Sequence, residues 1–90
     1  MKTVHLVVSG KVQGVYFRNT AMHMAEKLRV TGWIKNTSEA NVEAMVTGDE
    51  NAIKEFIKWC KIGPERAIVE EVTISKKPET LFESFRILRN

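Results

Sequence analysis

The sequence has one cysteine, Cys60, among 90 residues, which excludes an intramolecular disulfide and a cysteine-based zinc cluster. It also has no long apolar run, because its hydrophobic stretches fall far short of the roughly 20 residues that a membrane-spanning helix requires. Residues 1–8 lack the apolar core and the cleavage site of a secretory signal peptide. We therefore expect a cytoplasmic protein that has no membrane partner.

The composition, 43% hydrophobic and 28% charged residues, is that of an ordinary globular protein and argues against a disordered chain. A length of 90 residues leaves room for one core, so we expect a single domain over residues 1–90. The 14 lysine and arginine residues against 11 acidic residues give a net charge of +3. This mild excess favours anionic partners, from small phosphates to nucleic acid, without choosing between them.

Hydrophobic periodicity predicts a mixture of strands and helices along the chain. Alternating apolar residues mark strands, whereas apolar spacings of three and four mark helices. The predicted order is a strand at residues 3–9, a loop at 10–14, a helix at about 16–29, strands at 32–36 and 41–47, a helix between Asp49 and Gly63, a strand at 69–76 and a short strand at 85–88.

Each predicted helix has a single apolar stripe, so both helices can cover the same face of one sheet. The simplest topology for this order is α+β, the ferredoxin-like split βαβ sandwich (βαββαβ). It has an antiparallel-rich sheet of four or five strands with two helices on one face. The pairing of the C-terminal strand stays open. The stripes consist of Phe17, Ala21, Met24, Ala25 and Leu28 in the first helix, and of Ile53, Phe56, Ile57 and Cys60 in the second.

The segment GKVQGVYFR, residues 10–18, combines features of an anion site. A glycine-bearing loop leaves a strand and begins a helix, so its backbone N–H groups and the positive end of the helix converge on one concavity. Arg18 can offer a planar fork of donors to the same anion. Loop geometry alone is also typical of a plain strand-to-helix turn that binds no anion and leaves the arginine in solvent, so this alternative stays open.

This segment resembles the G-x-V-Q-G-V-x-F-R signature of the acylphosphatase family. Residues 32–36, GWIKN, are similar to the family's second signature, and Val42 and Gly48 stand where that signature expects valine and glycine. The resemblance covers essentially the whole chain and therefore implies one acylphosphatase-like domain over residues 1–90. The fold of the family is the ferredoxin-like sandwich that the element order predicts.

The resemblance implies hydrolysis of the carboxyl-phosphate bond of a small acyl phosphate to a carboxylate and inorganic phosphate, without a metal or an organic cofactor. Arg18 matches the family's phosphate-binding arginine, and Asn36 matches the residue that orients the attacking water. Inorganic phosphate or sulfate would bind as product or analogue, and we expect a monomer. The phosphate-binding loop that the resemblance implies, acting chiefly through backbone N–H groups, consists of Gln13, Gly14, Val15, Tyr16 and Phe17.

One position departs from the family pattern. Ala40 stands where the family usually has glycine, in the turn that follows Asn36. Glycine there suits a positive φ that alanine tolerates poorly. We therefore expect either that Asn41 adopts the left-handed conformation or that the turn is of another type.

Two other functions are compatible with the fold. RNA binding would suit the fold and the charge, but it needs stacking aromatics on the two central strands, and residues 4–9 and 42–47 have none. We therefore expect no nucleic-acid partner. The second alternative is an anion-binding module with little turnover. The sequence does not identify the physiological acyl phosphate, and we expect His5, His23 and Cys60 to have no catalytic role.

Overall fold

The structure is a computed structural model that describes residues 1–89. Its five strands and two helices follow one another in the predicted order, which confirms the predicted fold class. The elements are β1 (Lys2–Lys11), α1 (Phe17–Leu28), β2 (Thr31–Asn36), β3 (Val42–Gly48), α2 (Glu50–Ile62), β4 (Ile68–Lys77) and β5 (Phe85–Ile87).

The first strand is longer than predicted, because Gly10 and Lys11 continue it instead of beginning the loop. The register with β4 shifts between Ser9 and Gly10, and this β-bulge requires a φ of +123° at Gly10. A Cβ atom at Gly10 would lie 2.1 Å from the carbonyl oxygen of Ile68, so only glycine fits. The loop that leads to α1 therefore begins after Lys11.

The five strands form one sheet in the order β4-β1-β3-β2-β5. All neighbours pair antiparallel except β2 and β5, which run parallel at one edge. The parallel register places Ile87 beside Ile34, and a hydrogen bond from Leu88 N to Ile34 O (2.8 Å) continues the alignment past the end of β5. The C-terminal strand, whose pairing the sequence left open, therefore brings the chain end alongside the end of β2.

Both helices pack on the same face of the sheet. The strand residues that point to this face are fully buried and form one core together with the buried stripes of α1 and α2. Burying this apolar surface holds the helices against the strands and so sets where the first turn of α1 lies. The core consists of Val4, Leu6, Val8, Ile34, Val42, Ala44 and Val46 from the sheet, Phe17, Ala21 and Ala25 from α1, and Ile53, Phe56 and Cys60 from α2, with Val12, Val15, Val30 and Phe85 at its margins.

The two helices are short, with 12 residues in α1 and 13 in α2. Tyr16 and Arg29, the residues that flank α1, both have left-handed backbone (φ 64° and 59°), so the helix is one residue shorter at each end than predicted. Across residues 1–89, no helix is both long enough and apolar enough to cross a membrane.

Candidate active site

The loop between β1 and α1 alternates the sign of φ from residue to residue. Gly14 has a φ of +73° and Tyr16 a φ of +64°, whereas Val15 between them and Phe17 after them have negative φ. Such alternation turns successive N–H groups toward the inside of one concavity, which is an arrangement that binds anions. A Cβ atom at Gly14 would meet nothing within 4 Å, so glycine is suited here by its backbone conformation rather than by lack of space.

The backbone N–H groups of this segment have no acceptors among residues 1–89. The first backbone hydrogen bond of the helix runs from Thr20 N to Tyr16 O (3.1 Å). The N–H groups from Gly14 to Asn19 donate no hydrogen bond to any atom of residues 1–89. They lie at the positive end of the α1 dipole, where the first turn contains no acidic side chain. The segment can therefore donate several hydrogen bonds to one bound anion.

These residues line a cleft of about 340 Å³ at the start of α1. Arg18 forms no ion pair with a carboxylate in the part of the chain that the structure describes. The lining contains no aspartate or glutamate, so the cleft has a positive charge that is available to an anionic ligand. The lining residues are Val12, Gly14, Tyr16, Phe17, Arg18, Asn19, Asn36 and Arg89.

Asn36, the last residue of β2, lies across the cleft from the loop and lines it. Its amide oxygen Oδ1 is buried and has no hydrogen-bond partner among residues 1–89. A buried acceptor without a partner costs about 1–3 kcal/mol, so a rotation about χ2 that brings this oxygen to a hydrogen donor in the cleft is favourable. The structure thus brings the two predicted catalytic residues, Arg18 and Asn36, to the same cleft.

The Gln13 side chain makes contacts that the sequence did not predict. Its Nε2 atom donates to the backbone oxygens of Thr37 (2.9 Å) and Asn41 (2.8 Å), which fastens the loop to the β2–β3 hairpin. Neither Gln13 nor Val15 lines the cleft, and the Val15 side chain is buried in the core. Of the predicted phosphate-binding residues, the structure brings Gly14, Tyr16, Phe17 and Arg18 to the cleft lining.

The hairpin turn resolves the question raised by Ala40. Ala40 itself adopts the left-handed conformation, with a φ of +67°, so the expectation that Asn41 would do so is wrong. Thr37 fixes this geometry, because Thr37 O accepts from Ala40 N (3.2 Å) and Thr37 N donates to Asn41 O (2.9 Å). The Thr37 hydroxyl also accepts from Asn41 N (3.1 Å). The turn therefore keeps a conformation that suits glycine while carrying alanine.

Arg89 also lines the cleft, although no pattern in the sequence pointed to it. Its position follows from the parallel pairing of β5 with β2, which local sequence patterns do not reveal. The residues set aside as non-catalytic lie elsewhere. His5 and Glu43 form a pair on the other face of the sheet (Nε2 to Oε2, 2.6 Å), and burial raises the pKa of the Cys60 thiol from 9.0 to about 12. Within residues 1–89 no three histidine, cysteine or acidic side chains cluster as metal ligands would.

Comparison with known proteins agrees with the signatures. The family model for acylphosphatases matches residues 4–87. An acylphosphatase of Marinobacter nauticus is 45% identical over 83 residues, which is 91% of this chain and 90% of the relative. The solved structure of an acylphosphatase from Coxiella burnetii has a TM-score of 0.93 at 37% identity and covers 97% of this chain and 92% of its own. The crystal structure of acylphosphatase from Bacillus subtilis has a TM-score of 0.94 at 30% identity and covers 99% of this chain and 100% of its own. The chain belongs to the acylphosphatase family.

Proposed function

We propose that the loop of residues 13–18 and the guanidinium of Arg18 hold the phosphoryl group of an acyl phosphate in this cleft while Asn36 orients the attacking water. Membership of the family makes the chain an acylphosphatase, and acylphosphatases act on small acyl phosphates. One observation carries the assignment of roles. It is the row of unpaired N–H groups from Gly14 to Asn19 beside a guanidinium that no carboxylate of residues 1–89 neutralises.

The loop and Arg18 act on the phosphoryl oxygens. During phosphoryl transfer, charge spreads over the three equatorial oxygens of the transferred group. The N–H groups and the guanidinium fork are held in place before the substrate arrives, so they stabilise this charge without reorganising. Gln13 supports them indirectly, because its two hydrogen bonds hold the loop against the hairpin that carries Asn36.

Asn36 acts on the nucleophile. Rotation about χ2 presents its amide oxygen to the cleft, where it accepts one hydrogen of a water molecule that lies in line with the bond to be broken. The water oxygen attacks phosphorus, the bond between phosphorus and the acyl oxygen breaks, and its electron pair leaves with the carboxylate. Orienting the water lowers the entropic part of the barrier.

The substrate itself accepts the proton of the water. The cleft lining contains no aspartate, glutamate or histidine that could act as a base, whereas a phosphoryl oxygen lies beside the attacking water. The carboxylate leaves without protonation because it is already a weak base. The rate should therefore not follow a single protein group that titrates near neutral pH.

Steady-state hydrolysis of acetyl phosphate with a chelator present tests these roles. Arg18→Ala and Asn36→Ala should each lower kcat/KM by at least about 10²–10³-fold, the loss typical of removing one stabilising donor. Arg18→Lys should stay severely impaired, because an ammonium cannot reproduce the guanidinium fork. Inorganic phosphate and sulfate should inhibit the wild type competitively.

Two exposed residues outside the cleft supply matched controls: Arg66→Ala removes the same charge and Asn51→Ala the same amide. Both should keep wild-type rates, and all four alanine variants should share one circular dichroism spectrum. Near-wild-type turnover in Arg18→Ala or Asn36→Ala would contradict the roles. Phosphate binding without hydrolysis by the wild type would instead favour an anion-binding module. The monomeric state, the single domain over residues 1–90 and the cytoplasmic location stay predictions.

A further inference from the structure

Arg89 reaches the cleft through the pairing of β5 with β2. The parallel register places Ile87 beside Ile34, and two residues further along the chain come Arg89, just past the end of β5, and Asn36, the last residue of β2. Side chains two apart lie on the same side of a strand, so Arg89 shares the side of Asn36, which also lines the cleft. Arg86 lies on the opposite side of β5, beside Trp33.

Arg89 is a second cation in a cleft that already has one. No carboxylate of residues 1–89 lines the cleft, and Arg89 forms no ion pair with any of these residues. The N–H groups of residues 14–19 and the guanidinium of Arg18 already supply donors for one phosphoryl group. The charge on Arg89 therefore exceeds what that group requires and is available to a second anion.

The cleft has space for more than a phosphoryl group. Its volume of about 340 Å³ corresponds to about 11 water molecules at roughly 30 Å³ each. A phosphoryl group takes the place of only a few of these. The rest of the cleft is open to the acyl half of the substrate, and Arg89 lies along its wall.

We propose that Arg89 binds a second anionic group at the far end of the acyl half. The cleft then favours acyl phosphates whose acyl chain ends in a carboxylate over those with an uncharged alkyl chain. Arg89 is in this view a specificity-determining residue: it strengthens binding of acyl halves that carry a negative charge and takes no part in the transfer of the phosphoryl group. The inference rests on the proposed function of the cleft.

Hydrolysis of two substrates by three variants tests the inference. Acetyl phosphate has an uncharged acyl chain, whereas the acyl chain of succinyl phosphate ends in a free carboxylate. Arg89→Gln should raise KM for succinyl phosphate by about tenfold with kcat unchanged, the size expected when one charge-assisted hydrogen bond is lost at a partly solvated site. Its kinetics with acetyl phosphate should change less than about twofold. Arg89→Lys should lie between the wild type and Arg89→Gln, because it keeps the charge but not the fork.

Arg86→Gln is the matched control, since it removes the same charge from the opposite side of the same strand and should leave both substrates unaffected. The wild-type preference for succinyl phosphate should also weaken as NaCl is raised. Equal losses for both substrates in Arg89→Gln would overturn the inference, because Arg89 would then serve the phosphoryl group. An unchanged KM for succinyl phosphate in Arg89→Gln would overturn it as well.

Inhibition by stable analogues separates this inference from the proposed function, because it requires no turnover. 5-Phosphonopentanoate places a carboxylate five bonds from phosphorus, as succinyl phosphate does, whereas pentylphosphonate has an uncharged chain of the same length. Wild type should bind 5-phosphonopentanoate more tightly, and Arg89→Gln should lose that difference while its affinity for pentylphosphonate stays the same. If the wild type hydrolysed neither acyl phosphate, the proposed function would fail, whereas equal binding of both phosphonates would overturn the role of Arg89.

Discussion

Replacing Ala40 by glycine should make the protein more stable. Ala40 has a φ of +67°, and the left-handed conformation costs an L-residue about 1–2 kcal/mol. Glycine removes this strain but adds freedom to the unfolded chain, which costs about 0.4–1 kcal/mol. The side chain is exposed, so the substitution removes no buried contact. The expected net gain is about 0.5–1 kcal/mol in the free energy of unfolding, or roughly 2–8 °C in Tm for a chain of this size.

Urea unfolding measures this difference directly, because a change in midpoint at a constant m-value reports stability alone. Ser38→Gly is the matched control. Ser38 lies in the same turn, is exposed and has a negative φ, so glycine relieves no strain there. It brings the entropic cost and the loss of an exposed hydrogen bond to Glu39 (3.3 Å), and should destabilise. If Ala40→Gly were no more stable than the wild type, or if its free energy of unfolding fell as much as that of Ser38→Gly, the strain assigned to Ala40 would not exist. Activity should stay within about twofold, because Ala40 does not line the cleft.

Two further predictions concern stability. Gln13→Ala should lower the free energy of unfolding by about 1–2 kcal/mol, because it removes two hydrogen bonds to the hairpin. Gln13→Glu should lose more free energy of unfolding, measured with urea at pH 7, because the carboxylate oxygens would lie against the carbonyl oxygens of Thr37 and Asn41 with no hydrogen to donate. Equal losses in the two variants would contradict this reasoning. Burial raises the pKa of the Cys60 thiol from 9.0 to about 12, so between pH 9 and 12 the folded state keeps a proton that the unfolded state releases. The free energy of unfolding should therefore fall by up to about 1.4 kcal/mol per pH unit over this range, relative to Cys60→Ala. If the wild type and Cys60→Ala had parallel pH profiles, this prediction would be wrong.

Some features of the site were readable from short segments. The alternation of Val4, Leu6 and Val8 and the helical stripe that begins at Phe17 depend only on which neighbours share a face, so the local pattern predicted both elements. The strand, the glycine-bearing loop and the helix that carries Arg18 are continuous in the chain. Their order was therefore enough to suggest an anion site before any packing was known.

Other features depend on residues that are distant in the chain. The family resemblance places Gln13 in a loop that binds phosphate chiefly through backbone N–H groups, but the sequence did not reveal that its side chain donates to carbonyl oxygens on a hairpin more than 20 residues away. Ala40 has a positive φ because hydrogen bonds to Thr37 close the turn, although its residue type disfavours that conformation. At Ala40, contacts formed on folding outweigh the local preference of alanine against the left-handed conformation, which amounts to only about 1–2 kcal/mol.

The sequence by itself determined the strands, the helices, the family and the residues of the glycine-bearing loop before α1, because each of these depends on spacings within short segments. Only the tertiary structure decided that Asn36 faces the loop and that Arg89 joins the same cleft. Both depend on strand pairings, and β5 lies more than 45 residues beyond β2 in the chain. Such pairings are set by how the whole apolar core packs, since several registers satisfy the local pattern and one of them buries both helix stripes against the sheet.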